Sequence, residues 1–80
     1  MTDILIVDDE RDIRELISDI LTDEGYKTRL AGTSDAAMRQ IADQRPAMLI
    51  LDIWLKDSAM DGIDILNFVK ANYPHIPVVI

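Results

Sequence analysis

Two uninterrupted apolar runs, at residues 4–7 and 47–51, dominate the hydrophobic pattern of the chain. Strands that are buried on both faces of a parallel sheet have this kind of sequence, because neither face is left for polar side chains. Residues 26–30 and 77–80 predict two further strands. The first of these is more polar, so we expect it nearer the edge of the sheet.

Between the runs, apolar residues recur at helical spacing. A one-sided amphipathic helix is predicted from about residue 10 to residue 24, with Gly25 as its left-handed C-terminal cap. Thr33 or Ser34 is predicted to cap a second helix that runs to Asp43, and a third helix is predicted to begin near Gly62, with Asp61 as a further capping residue. The side chains expected to face the core are Ala37, Met38, Ile41 and Ala42 on the second helix, and Ile65, Leu66, Val69 and Tyr73 on the third. Strands and helices that alternate in this way predict an α/β fold with a parallel sheet and right-handed crossovers.

The composition narrows the class of protein. The 80 residues form one small domain without cysteine, which excludes a disulfide framework and a thiolate metal site. The net charge of −7 argues against direct binding of nucleic acid, whose phosphates require Lys and Arg. No apolar run is long enough to span a membrane and no signal-peptide pattern is present, so we expect a cytoplasmic protein.

Carboxylates follow both dominant apolar runs. Asp8 and Asp9 come directly after the first run, and Asp52 after the second. Open α/β sheets bind ligands at the carboxyl ends of their strands, so we expect the three side chains to converge there. Such a group of oxygen ligands suits Mg²⁺, and Asp52 is then placed to accept a phosphoryl group. Singly, Asp8 or Asp9 could instead cap a helix and Asp52 could be a turn residue, but capping does not require all three.

Four segments together resemble the receiver domain of two-component response regulators: residues 4–10, 49–52, 60–62 and 77–80. The resemblance implies a flavodoxin-like (CheY-like) doubly wound parallel sheet with strand order 2-1-3-4-5. Because the sequence ends at Ile80, we expect residues 1–80 to be the N-terminal two-thirds of such a domain, truncated after the fourth strand.

The resemblance also implies a role for each site residue. Asp52 would be the phosphoacceptor, and Asp8 and Asp9 the acidic pocket, with Asp9 the more direct Mg²⁺ ligand. The backbone carbonyl of Trp54 would be the third protein ligand, and a sensor histidine kinase would be the phosphodonor.

Two departures from the family pattern are visible. The loop from Asp52 to Gly62 lacks a proline and is longer than in most receivers, which resembles the NtrX branch of the NtrC family. In that branch the receiver controls an ATPase and a DNA-binding output domain. The Ser or Thr, the Lys and the aromatic residue that complete the family's switch would all follow Ile80, so we expect the chain as given to be phosphorylated poorly.

The leading hypothesis is therefore a Mg²⁺-dependent phosphoacceptor module that controls a transcriptional output domain and is not an independent enzyme. A phosphatase or phosphotransferase is the enzymatic alternative. The haloacid-dehalogenase pattern argues against it, because that pattern needs an aspartate two residues after the nucleophile, where this chain has Trp54. A third hypothesis is self-association, as a homodimer, through an exposed fourth strand and uncovered helix faces.

Overall fold

Strands and helices alternate along the chain in the computed structural model, which describes residues 3–52, 55 and 61–80. The elements are β1 (Asp3–Val7), α1 (Arg11–Asp23), β2 (Lys27–Ala31), α2 (Ser34–Asp43), β3 (Met48–Leu51), α3 (Gly62–Asn72) and β4 (Val78–Val79). The four strands are parallel and lie in the order β2-β1-β3-β4. The predicted fold class is confirmed, and β2 lies at the sheet edge as its polarity suggested. None of the helices in the described ranges has the length and apolarity needed to cross a bilayer.

The main core lies between the central strands and one layer of helices. It contains alternate residues of β1 and β3 together with side chains from α2 and α3: Leu5, Val7, Leu49, Leu51, Ala37, Ile41, Ile65 and Val69. Ile4 and Ile6 are also buried, and they face the opposite side of the sheet because side chains alternate along a strand. The chain moves one way from β1 to β2 and the other way from β2 to β3, so right-handed crossovers place α1 and α2 on opposite faces.

The C-terminal end of α1 confirms the predicted glycine cap. Gly25 has a φ of 92°, in the left-handed region where a side chain would be strained. Its N–H donates to the Thr22 carbonyl at 3.0 Å, and the Tyr26 N–H donates to the Leu21 carbonyl at 3.0 Å. These two bonds form a Schellman motif, which satisfies carbonyl groups at the end of the helix.

The N-terminal ends of α2 and α3 are also capped as predicted. The Thr33 side chain accepts a hydrogen bond from the Ala36 N–H at 3.2 Å. Asp61 and Asp64 form a reciprocal capping box at the start of α3. One expected packing residue of α2 is wrong: Ala42 is exposed, because the core-facing side of the helix runs through Ala37 and Ile41 instead.

The apolar side of α1 is less covered than its periodicity suggests. No side chain of this helix is fully buried. Ile17 and Leu21 are half-buried, whereas Leu16 and Ile20 are 55% and 54% exposed. Helical spacing therefore identified the element correctly, but it did not reveal how little of the apolar stripe is covered.

A network around Arg29 joins the start of β1 to α2. The Arg29 guanidinium binds the Asp3 carboxylate through Nε at 3.1 Å and Nη2 at 2.8 Å, a bidentate pair. It also donates to the carbonyls of Gln40 at 2.9 Å and Gln44 at 2.7 Å, near the C-terminal end of α2. The side chains of Arg29 and Asp3 are only 18% and 10% exposed, so water offers little substitute for these bonds.

We expect Arg29→Ala to lower the free energy of unfolding by about 3–5 kcal/mol, because Asp3 would remain largely buried without its partner. Equilibrium unfolding in urea measures this loss. Arg11→Ala is the matched control, since the Arg11 side chain is 79% exposed and pairs with Glu15 at 3.5 Å. Such a surface pair contributes about 0.5 kcal/mol or less. Equal losses in the two variants would show that the Arg29 network does not stabilise the fold.

Candidate metal centre

The register of the central strands brings acidic residues together at the edge of the sheet where the strands have their carboxyl-terminal ends. Val7 pairs with Ala31 on one side and with Leu51 on the other. The next residues are Asp8 after β1 and Asp52 after β3. The Asp8 N–H donates to the Ala31 carbonyl at 3.1 Å, and the Asp52 N–H donates to the Val7 carbonyl at 2.8 Å. Ladder hydrogen bonds thus continue one residue beyond the strands and fix the backbone of both aspartates.

Three carboxylates converge at this edge, as the sequence predicted. Asp8, Asp9 and Asp52 each offer an oxygen atom, and these atoms all lie within 4.8 Å of one another. All three residues are half-buried, so their mutual repulsion is screened less than it would be on an open surface. Carboxylate oxygens are the ligands that hard divalent cations prefer, and this donor set therefore fits Mg²⁺.

The capping interpretation of Asp8 and Asp9 is wrong. The N-cap of α1 is Glu10, and its side chain makes no capping hydrogen bond. The Asp8 Oδ1 instead accepts the Glu10 N–H at 2.8 Å, which makes an Asx turn before the helix. This turn directs the loop between β1 and α1 across the carboxyl-terminal ends of the strands, where the Asp9 carboxylate lies close to the other two.

Arg14 is a neighbour of the site that the sequence reasoning missed. Its Nη1 donates to the Asp8 carbonyl at 2.7 Å, and the guanidinium lies against Gly32. No local sequence signal points to this contact, because it depends on how α1 packs beside the turn that follows β2.

The predicted backbone ligand Trp54 lies outside the described residues. The same is true of Lys56, Asp57 and Met60 in the same loop. Leu55 is described, and it is buried in the main core.

A cavity of about 230 Å³ lies near the amino-terminal ends of the strands, opposite the acidic residues. It is lined by residues that precede β3 and β4, among them Arg45, Tyr73 and His75. The Arg45 guanidinium stacks 5.4 Å from the centre of the Tyr73 ring. None of the three carboxylates lines this cavity, so it is separate from the acidic site.

Comparisons with known proteins agree with this geometry. Residues 4–80 match the family model described as the response regulator receiver domain. The chain is 51% identical over 77 residues to the nitrogen assimilation regulatory protein NtrX of Azorhizobium caulinodans, a match that covers 96% of this chain and 17% of that protein. The chain therefore spans about a sixth of the length of this curated relative.

Two solved structures show the same likeness in three dimensions. The receiver domain of NtrX from Brucella abortus has a TM-score of 0.92 and 49% identity, over 95% of this chain and 63% of that one. The response regulator TrrA from Thermotoga maritima, crystallised in complex with Mg²⁺–BeF, has a TM-score of 0.90 and 28% identity, over 98% of this chain and 66% of that one.

If the three carboxylates bind Mg²⁺, the ion should stabilise the protein, and we expect Asp9→Asn to remove most of that stabilisation because one charged ligand is lost. At a Mg²⁺ concentration ten times its dissociation constant, binding raises the free energy of unfolding by about 1.4 kcal/mol. Urea unfolding with and without MgCl₂ measures this increment. Asp19→Asn, which removes an exposed carboxylate from α1, should keep it. An increment that survives in Asp9→Asn would place the cation elsewhere.

Proposed function

Because the chain belongs to the response regulator receiver domain family, we propose that it is an NtrX-like phosphoacceptor in which a sensor histidine kinase phosphorylates Asp52 with the help of Mg²⁺. The observation that carries the proposal is the convergence of Asp8, Asp9 and Asp52 on one edge of the sheet. The similar regulator from Thermotoga maritima was solved in complex with Mg²⁺–BeF, which supports a role for Mg²⁺ in this chain.

Asp52 supplies the attacking oxygen in this proposal. Its backbone is held by the hydrogen bond to the Val7 carbonyl, and its half-buried side chain remains accessible to a phosphodonor. A bond forms between a carboxylate oxygen of Asp52 and phosphorus while the bond from phosphorus to the donor imidazole nitrogen breaks. The electron pair leaves with that nitrogen. The product is an aspartyl phosphate, the usual result of carboxylate attack on phosphorus.

Asp8 and Asp9 hold the cation beside the acceptor. When bound, Mg²⁺ supplies positive charge that neutralises the phosphoryl oxygens and the carboxylates around them. The Asx turn and the ladder bond at Asp8 place this acidic loop before any ligand arrives, so little reorganisation is needed. The Trp54 backbone carbonyl is proposed as a further ligand.

The proposed biological role is regulatory. We propose that residues 1–80 are the N-terminal two-thirds of a receiver domain in a cytoplasmic regulator, and that phosphorylation controls a transcriptional output domain. The match to 63% of a crystallised receiver domain supports this proposal, as does the similarity to the nitrogen assimilation regulatory protein of Azorhizobium caulinodans. The chain then acts as a phosphoryl acceptor and not as an independent enzyme.

A second candidate function is self-association as a homodimer. Exposed apolar side chains on α1 favour it, since Leu16 and Ile20 lie on one stripe of this helix. Val79 of β4 and the adjoining Ile80 are exposed as well. Both features offer apolar surface to a second copy of the chain, and this function is compatible with phosphorylation of Asp52.

In the full-length regulator, we expect Asp52→Asn to abolish phosphorylation, because an amide cannot act as the attacking carboxylate. Transfer of radiolabel from an autophosphorylated histidine kinase or from acetyl phosphate measures this, and hydroxylamine should remove the label if it is an acyl phosphate. Asp19→Asn is the control and should be labelled like the unaltered protein. Labelling that persists in Asp52→Asn would assign the acceptor to another residue.

We expect Leu16→Glu to weaken self-association, because it places a charge in the exposed apolar stripe of α1. Sedimentation velocity over a range of concentrations measures the effect. Glu15→Gln, on the polar side of the same helix, should leave association unchanged. A protein that remains monomeric at the highest concentration would argue against this second function.

A further inference from the structure

The backbone N–H and the backbone carbonyl of Asp8 are held by groups from two other parts of the fold. The Asp8 N–H donates to the Ala31 carbonyl at 3.1 Å, at the end of β2. The Asp8 carbonyl accepts from Arg14 Nη1 at 2.7 Å, one turn into α1. Since a peptide group is planar, the bond to this carbonyl also fixes the direction in which the chain enters Asp9.

We propose that Arg14 is a positioning residue that orients the Asp8–Asp9 peptide for cation binding. In this proposal Gly32 provides the space in which the Arg14 guanidinium lies. This inference rests on the proposed function of the three carboxylates. It assigns Arg14 no contact with the cation or the phosphoryl group, because Arg14 acts through the Asp8 carbonyl.

The role of Gly32 follows from distances. A Cβ atom built on Gly32 would lie 2.7 Å from Arg14 Nη1, 3.2 Å from Cζ and 3.6 Å from Nη2. The first distance is too short for two non-bonded atoms, so any side chain at this position must displace the guanidinium. The backbone of Gly32 does not have the left-handed conformation that would itself require glycine. The space for Arg14 therefore provides a reason for glycine at this position.

The chemistry of arginine suits this task. A charged N–H donor gives a shorter and stronger hydrogen bond to a carbonyl than a neutral donor does. The planar guanidinium can lie against the flat backbone at Gly32 while one of its nitrogens points at the Asp8 carbonyl. A lysine ammonium keeps the charge but not the plane, so it would hold the peptide less firmly. Groups that orient metal ligands in this way typically change metal affinity by roughly 10- to 100-fold when they are removed.

The experiment compares Arg14→Ala, Gly32→Ala and the double variant with the unaltered protein. Calorimetric titration with MgCl₂ under native conditions gives the dissociation constant. We expect a weakening of about tenfold or more in Arg14→Ala and a similar weakening in Gly32→Ala. The double variant should bind no more weakly than Arg14→Ala, because Gly32→Ala has no guanidinium left to displace. Arg14→Lys should recover part of the affinity.

Arg11→Ala is the matched control, since Arg11 lies on the same helix and its side chain is 79% exposed. It should leave the dissociation constant unchanged. A purely structural role of Arg14 would lower the free energy of unfolding but leave the Mg²⁺ affinity of the folded protein intact. Unchanged affinity in Arg14→Ala would overturn the inference, as would additive losses in the double variant.

A second measurement does not depend on the cation. In metal-free protein, amide hydrogen exchange at Asp8 and Glu10 reports the bonds to Ala31 and to the Asp8 side chain. We expect faster exchange in both Arg14→Ala and Gly32→Ala, and no change in Arg11→Ala. Unchanged exchange would overturn the positioning role, whether or not the unaltered protein binds Mg²⁺. Failure of the unaltered protein to bind Mg²⁺ would instead count against the proposed function. If Arg14→Ala failed to fold, Gly32→Ala would decide the question alone.

Discussion

The parallel pairing of β1 with β3 is the constraint on which the rest of the structure depends. Apolar side chains on both strands bury the centre of the sheet, and this burial fixes the register between them. The register brings Asp8 and Asp52 together at the carboxyl-terminal end of the strands, and the Asx turn at Asp8 adds Asp9 to them. Hydrophobic packing therefore overcomes electrostatic repulsion, and the fold holds a group of like charges that a cation can neutralise.

Two arginines stabilise the ends of this arrangement in the same physical way. Arg14 donates to the Asp8 carbonyl beside the acidic edge. Arg29 donates to the carbonyls of Gln40 and Gln44 and pairs with Asp3 at the start of β1. In both cases a guanidinium satisfies main-chain carbonyls that lie outside the sheet ladder. A chain with a net charge of −7 thus places two of its few cations where backbone geometry needs them.

The features that sequence predicted well are those set by neighbours along the chain. Uninterrupted apolar runs identified the parallel strands, and the aspartates that follow them predicted the group of three carboxylates. Gly25 and Thr33 marked helix ends because their conformations or side chains act within one helical turn. The roles of Arg14 and Arg29 could not be predicted, since each depends on residues brought close only by the finished fold. The extent to which α1 is exposed could not be predicted for the same reason: periodicity shows which side of a helix is apolar but not how much of that side is covered.

The sparse burial of α1 has a consequence for the energetics of the acidic edge. A helix without fully buried side chains separates from the sheet at a smaller free-energy cost than the central strands do. Its first turn is continuous with the loop that carries Asp8 and Asp9, and Arg14 on that turn contacts the loop directly. Local unfolding of α1 and occupation of the carboxylates are therefore thermodynamically linked. An ion that binds only the closed loop makes the helix more ordered, and whatever holds the helix on the sheet tightens the site in return.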